Sequence, residues 1–226
     1  MFWPIFDSVA EALRTQSLIP PDSGNFVDAA HAKLARGGDL RKLFPSGAPT
    51  AKGVEGMYWL SAEITEVRTP DLYKYLREVL KIDEVTPAAI VRQIDREFLQ
   101  GKPDEWLIRF YEFLSSQEPL WRKPQWAGDS PGPARSVPII RLEDGTHILP
   151  FKQDGSPAAY LKSPIENDQI LLVRKTIATH DRSRQFLEKL GFGEFDLIAA
   201  LRDFCLPMYK LNPSSVSKEQ NLQHIT

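Results

Sequence analysis

The sequence predicts an α+β fold in which helices are joined by short β-hairpins. Several segments repeat apolar residues at spacings of three and four, as amphipathic helices do, and an Asp-Gly turn stands between two apolar runs. Hydrophobic residues make up 42% of the 226 residues and charged residues 26%. This composition is typical of globular proteins, so we expect the chain to bury a core.

The first predicted helix covers residues 5–13, and a small hairpin is predicted at residues 17–27. The apolar positions of the helix are Ile5, Phe6, Val9, Ala12 and Leu13. The apolar residues Phe2, Trp3, Ile5 and Phe6 at the start, together with the polar stretch at 212–226, predict that the chain is a segment of a longer polypeptide.

A second helix is predicted at residues 105–114, and the strongest hairpin signal follows it at residues 137–151. Asp144 and Gly145 form the turn of this hairpin, which places Ile139 and Ile148 on opposite strands.

A helix pair is predicted at residues 71–79 and 86–98, with a turn at residues 80–85 between the two helices. Thr86 is a suitable N-cap and Pro87 suits the first helical position. A comparable pair is predicted at residues 186–192 and 197–205.

The order helix, hairpin, helix pair therefore occurs twice along the chain. It predicts a first unit at residues 1–101, a second unit of similar order at 102–211 and a polar tail at 212–226. A weak internal duplication would explain this order. Chance matching within an α+β chain is the alternative, and the sequence leaves both open.

Charge and cysteine content exclude several classes of protein. The chain has 28 Lys and Arg against 30 Asp and Glu, a net charge of -2, so nucleic acid is not an expected partner. No apolar run reaches the roughly 20 residues that span a bilayer, and a signal peptide is not evident. With Cys205 as the single cysteine, the expected location is the reducing cytoplasm, away from membranes.

The sequence predicts no catalytic, cofactor-binding or metal-binding residues. Its histidines do not have the spacing of metal ligands, and nucleotide-binding glycine loops and nucleophile motifs are absent from the sequence. Gly191 is predicted to end a helix, and Glu143 and Asp144 to form a turn. The four histidines are His31, His147, His180 and His224.

One aromatic loop is the candidate interaction site. Trp121, Arg122 and Trp126 lie in a segment rich in proline and glycine, where tryptophans could either pack onto the domain or anchor a partner. The sequence favours packing for Trp121, because Leu120 beside it offers an apolar anchor.

Residues 104–114, together with residues 138–148, resemble the region downstream of the ATP-binding domain in large bacterial sacsin-like proteins. Residues 2–7, 29–37 and 59–76 extend the resemblance to most of residues 2–210. The family's ATP-binding motifs have no counterpart in this sequence, so ATP binding is not implied for any residue. The resemblance implies a module that relays nucleotide state or holds a partner chain.

The sequence therefore predicts a non-catalytic, chaperone-like interaction or regulatory segment of a sacsin-like ATPase. Its expected partners are the other domains of the parent polypeptide and protein clients. The alternative is a nucleic-acid-associated module in which residues 86–98 form part of a winged-helix-like unit, although its charges nearly cancel. An enzyme whose site is assembled only in the fold is a third possibility.

Overall fold

A computed structural model describes residues 3–48, 56–124, 130–164, 170–196 and 198. Over these residues the chain forms α-helices, a three-stranded parallel sheet and a two-stranded antiparallel hairpin. This confirms the predicted α+β class. Most elements are short, so side-chain packing rather than long hydrogen-bonded segments holds the fold together.

The elements of the first hundred residues are α1 (Trp3–Thr15), β1 (Ala32–Ala35), α2 (Gly38–Leu43), β2 (Tyr58–Trp59), α3 (Pro70–Lys74), β3 (Asp83–Val85), α4 (Pro87–Gln93) and α5 (Arg96–Gln100). A π-helical turn, Tyr75–Val79, continues α3. The later elements are α6 (Asp104–Ser115), β4 (Ile140–Arg141), β5 (His147–Ile148), α7 (Lys175–Ala178) and α8 (Asp181–Leu190), with 3-10 turns at Glu118–Leu120 and Pro133–Ser136.

The parallel sheet has the order β2-β1-β3, with β1 in the centre. Sequence reasoning missed this sheet, and the turn predicted at residues 80–85 is corrected because β3 occupies part of that segment. Strands of two to four residues carry too little periodicity to be recognised. The salt bridge from Lys33 to Asp83, 2.9 Å long, links the two neighbouring strands, and Arg36 lies 3.5 Å from Glu84.

Both predicted hairpins are present. β4 and β5 pair antiparallel around the turn at Asp144 and Gly145, and Gly145 takes the positive φ of 87° that favours glycine. Ile148 lies directly opposite Ile140, which is the residue after the predicted Ile139. The earlier hairpin is reduced to a single antiparallel bridge between Ile19 and Val27.

The predicted helix pair is present, but its second helix is broken. Thr86 caps α4 by accepting a hydrogen bond from the amide of Ala89 at 3.2 Å, as the sequence indicated. The predicted continuous helix at residues 86–98 is corrected, since Ile94 is extended and Asp95 starts α5 by accepting from the amide of Phe98. Asp95 is a preferred N-cap residue, so the break is encoded locally.

Two hydrophobic clusters form most of the core. The larger one runs from Leu40 to Phe192 and includes Trp59, Trp106 and Phe186, so it draws on both sides of residue 101. The smaller one includes Ala10, and α1, β1 and the π-helical turn contribute to it. The boundary between the two predicted units stays a prediction.

The second predicted helix pair is described only in its first half. α8 ends at Gly191, which adopts a φ of 111°, and its amide donates to the carbonyls of Leu187 and Glu188. This confirms the predicted helix end. Apart from Ile198, the residues of the following helix and the tail at 212–226 lie outside the described residues.

Candidate interaction surface on the first helix

Helix α1 is held to the domain along one side. Ala10 is buried in the smaller cluster and Leu13 is half-buried against it. The guanidinium of Arg14 donates two hydrogen bonds to the carbonyl of Val79, at 2.9 Å from Nε and 2.6 Å from Nη2. Because Val79 is the last residue of the π-helical turn, these hydrogen bonds join α1 to that turn.

Three apolar side chains of α1 face solvent. Ile5 is 64% exposed, Phe6 68% and Val9 50%. Single exposed apolar residues are common on proteins, but three on one helix form a contiguous apolar surface. We call Ile5, Phe6 and Val9 the α1 face.

A groove of about 550 Å³ runs beside the α1 face, between α1 and the π-helical turn. Phe6 and Ala10 on one side and Tyr75 and Val79 on the other form its apolar part. The charged residues that line it are Asp7, Glu11 and Arg14. An apolar groove with a charged rim is the usual form of a site that receives a helix or an extended segment.

A buried polar cluster lies elsewhere in the fold, around Arg141. Its Nε donates to Nε2 of His147 at 2.9 Å, and Nη1 donates to Asp104 at 2.6 Å. Nη2 donates to the carbonyls of Leu99 and Lys102. Arg141 thus ties the hairpin to the α5–α6 connection.

Asp104 is the acidic centre of this cluster. It also accepts from Nε of Arg174 at 2.7 Å and from the hydroxyl of Thr176. Burial raises the pKa of Asp104, but the hydrogen bonds from Thr176, Arg141 and Arg174 outweigh burial and hold the pKa below its ordinary value. A carboxylate neutralised by two guanidinium groups is poorly suited to accept a proton from a substrate.

His147 is fully buried and neutral. Burial, followed by the charge of Arg141, lowers its pKa to about 4. Arg141 donates to Nε2, so the ring proton resides on Nδ1, which lies 3.2 Å from the carbonyl of Pro138. The hydroxyl of Tyr111 donates to the carbonyl of Ile139 nearby, and burial raises the pKa of that hydroxyl. Arg141 and His147 are enclosed by the core and have a structural role, whereas Arg174 and Thr176, the other partners of Asp104, reach the surface.

The candidate site taken from the sequence is only partly described. The indole of Trp121 donates to the carbonyl of Leu114 at 2.8 Å, and its ring meets Phe186 edge-on at a centroid distance of 5.8 Å. Trp121 therefore packs on the core. The amide of Arg122 donates to the carbonyl of Glu118, and Trp126 lies outside the described residues. An interaction role for these three residues stays a prediction.

Three other polar residues singled out from the sequence, His31, His180 and Asp144, have partners close in the sequence. Nδ1 of His31 lies 2.7 Å from Asp28, and Nδ1 of His180 lies 3.3 Å from the hydroxyl of Ser183. Asp144 accepts from the amide and hydroxyl of Thr146 within the turn. In the described ranges, three or more His, Cys, Asp or Glu side chains do not come together as a set that could hold a metal ion.

Comparisons with protein-family models, curated proteins and solved structures find no match for this chain. Within the part of the chain that the structure describes, no helix has the length and apolar character to cross a membrane. What the described residues define is an α+β fold in which one face of α1 is apolar and exposed. These residues are visible in the sequence as an apolar stripe, but periodicity alone does not show which side of a helix is covered, so the sequence did not predict a site there.

Proposed function

We propose that this chain is a non-catalytic interaction segment of a larger sacsin-like ATPase polypeptide and that the α1 face is its contact surface. The observation that carries the proposal is the exposure of Ile5, Phe6 and Val9 on a helix whose other side is anchored. The sacsin-like context rests on the resemblance of residues 104–114 and 138–148. The proposed occupant of the face is another domain of the same polypeptide.

Burial of the α1 face would supply the binding energy. Fully burying one large apolar side chain stabilises by about 1.5–3 kcal/mol, so three side chains exposed by half or more could contribute roughly 3–5 kcal/mol together. The anchoring of α1 by Arg14 lowers the ordering cost, because the helix is already held in place. A contact of this strength suits a reversible regulatory interface between domains.

The winged-helix alternative gains no support from the described contacts. Residues 86–98 form two short helices separated at Ile94 and Asp95, whereas a recognition helix enters the major groove as one continuous element. We therefore do not propose nucleic-acid binding for this segment.

The proposal can be tested by placing a photo-crosslinking amino acid at Phe6 in the full-length polypeptide in cells. The matched control is the same amino acid at Val67, which is 91% exposed and is not part of α1. We expect irradiation at Phe6 to give one dominant crosslink within the same polypeptide, and Val9→Ser to weaken it. Cross-linked peptides from an ATP-binding domain would support the sacsin-like context.

Two outcomes would contradict the proposal. If Phe6 crosslinks no more specifically than Val67, the α1 face is not a contact surface. If the dominant crosslink leads to a polypeptide without an ATP-binding domain, the sacsin-like context is wrong although the interaction remains. Melting of the Val9→Ser variant should match the parent protein, because Val9 is half exposed and contributes little to the core.

A further inference from the structure

A second surface, unrelated to α1, gathers positive charge between α2 and α6. It is a depression of about 220 Å³ whose described lining includes Lys42, Lys102 and Arg109. Its walls are apolar and include Leu43, Phe44 and Trp106. None of the described residues that line the depression is acidic, whereas Asp39 and Glu112 line the adjoining pocket that shares Lys42 and Arg109 with it.

Lys102 is the least solvated of the three cations. Its ammonium lies 4.2 Å from the ring centroid of Phe98 and 5.6 Å from that of Trp106. In the described part of the chain, its ammonium forms no salt bridge, and burial lowers the pKa of this lysine. The neighbouring rings offset only part of the cost of removing water from the ammonium, so a bound anion would relieve the remainder.

Arg109 is exposed on α6 and also has no carboxylate partner within the described ranges. Its one hydrogen bond runs from Nε to the carbonyl of Glu105 at 3.4 Å, which leaves the terminal nitrogens of the guanidinium for a ligand. Lys42 lies 3.1 Å from Asp39, and both side chains are exposed. Lys42 therefore contributes less positive charge than the other two cations.

We propose that the α2–α6 depression binds a phosphoryl group. Lys102 and Arg109, the two cations without a carboxylate partner in the described residues, match the two charges of a phosphoryl dianion, and arginine can donate to two oxygens at once. The apolar walls exclude water on one side and strengthen the attraction between the cations and the anion. This proposal is independent of the α1 face and goes beyond the proposed function.

The phosphoryl group belongs to a small molecule or to a phosphorylated peptide. The volume of about 220 Å³ accommodates one phosphoryl group and a few attached atoms. A nucleic-acid backbone would need cations repeated along a track, and the chain as a whole carries a net charge of -2. The structure therefore favours a single compact phosphoryl group over a polyanion.

The experiment is a titration of the protein with inorganic phosphate, with a phosphoserine peptide and with a single-stranded oligonucleotide, followed by nuclear magnetic resonance. The reporter is the indole N–H of Trp106, which donates to the carbonyl of Leu43 in the wall of the depression. We expect a saturable shift with phosphate or the phosphopeptide, and the tighter of these two probes identifies the source.

Variants complete the test. Lys102→Met and Arg109→Met should each weaken binding about tenfold, because each removes one charge-assisted hydrogen bond. Lys189→Met is the matched control, since Lys189 is an exposed cation on α8, and it should leave the affinity unchanged. Arg109 is itself exposed, so its variant remains informative even if Lys102→Met disturbs folding.

Three results would overturn the proposal. The first is the absence of a saturable shift with both phosphate and the phosphopeptide. The second is an equal loss of affinity in the Lys189 variant, which would show a nonspecific charge effect. The third is tighter binding of the oligonucleotide than of the other two probes, which would assign the surface to a polyanion.

Discussion

His147 should make the folded state sensitive to mild acid. Its pKa is about 4 in the folded chain, against an ordinary value of 6.5. The unfolded chain therefore takes up this proton first as the pH falls. The stability that depends on a neutral His147 is fully present above pH 6.5 and is lost as the pH drops towards 4.

The size of the effect follows from the two pKa values. A difference of one pKa unit corresponds to 1.36 kcal/mol. The difference of about 2.5 between the two pKa values therefore limits the contribution of His147 to the free energy of unfolding to about 3.4 kcal/mol. Between pH 7 and pH 5, protonation of His147 is expected to lower the free energy of unfolding by about 2 kcal/mol. Burial of the charged imidazolium is the main cause of this penalty, and the charge of Arg141, whose Nε–H would then face a second N–H on Nε2, adds to it.

The assay is urea unfolding of the parent protein and of His147→Gln at pH 7 and pH 5. Glutamine keeps a hydrogen-bond acceptor but does not titrate, so the other ionisable groups cancel in the difference between the two proteins. We expect the parent protein to lose about 2 kcal/mol more than the variant. Equal losses would refute the reasoning and would mean that His147 is hydrated or already charged.

Three substitutions test other parts of the structure by denaturant unfolding. Arg141→Met should cost about 3–5 kcal/mol, because it removes one of the two guanidinium partners of Asp104 and leaves the carbonyls of Leu99 and Lys102 without a donor, and a loss below 1 kcal/mol would show that water replaces the side chain. Trp121→Ala should cost about 2–3 kcal/mol, because Trp121 is partly buried against the larger cluster. An unchanged unfolding curve would show that this tryptophan does not pack on the core. Gly132→Ala should cost about 1–3 kcal/mol, since its Cβ would lie 2.4 Å from the backbone of Leu120 and Trp121, whereas a neutral result would disprove this close approach.

Local signals in the sequence predicted local structure well. Thr86 and Pro87 begin a helix, Asp144 and Gly145 form a hairpin turn, and Gly191 ends a helix. In each case the residue type supplies the required hydrogen bond or backbone conformation. The break at Asp95 could have been predicted in the same way, but the apolar stripe that continues to Phe98 concealed it.

Tertiary features could not be predicted because they join distant residues. The partners of Arg141 include Asp104 and Leu99, which lie 37 and 42 residues away, and nothing in the local pattern links them. The parallel strands likewise join Lys33 to Trp59 and Asp83. The α1 face was visible as apolar residues, but its exposure depends on which side of α1 meets the π-helical turn.

The parallel sheet bears on how this domain can associate with other chains. Its edge strands are short: β2 has two residues, and β3 has three, two of them the acidic Asp83 and Glu84. Short, charged edges resist the addition of a further strand, so partner binding by β-augmentation is disfavoured. The short sheet edges thus oppose edge-to-edge aggregation, so association through other surfaces, such as the α1 face, is favoured.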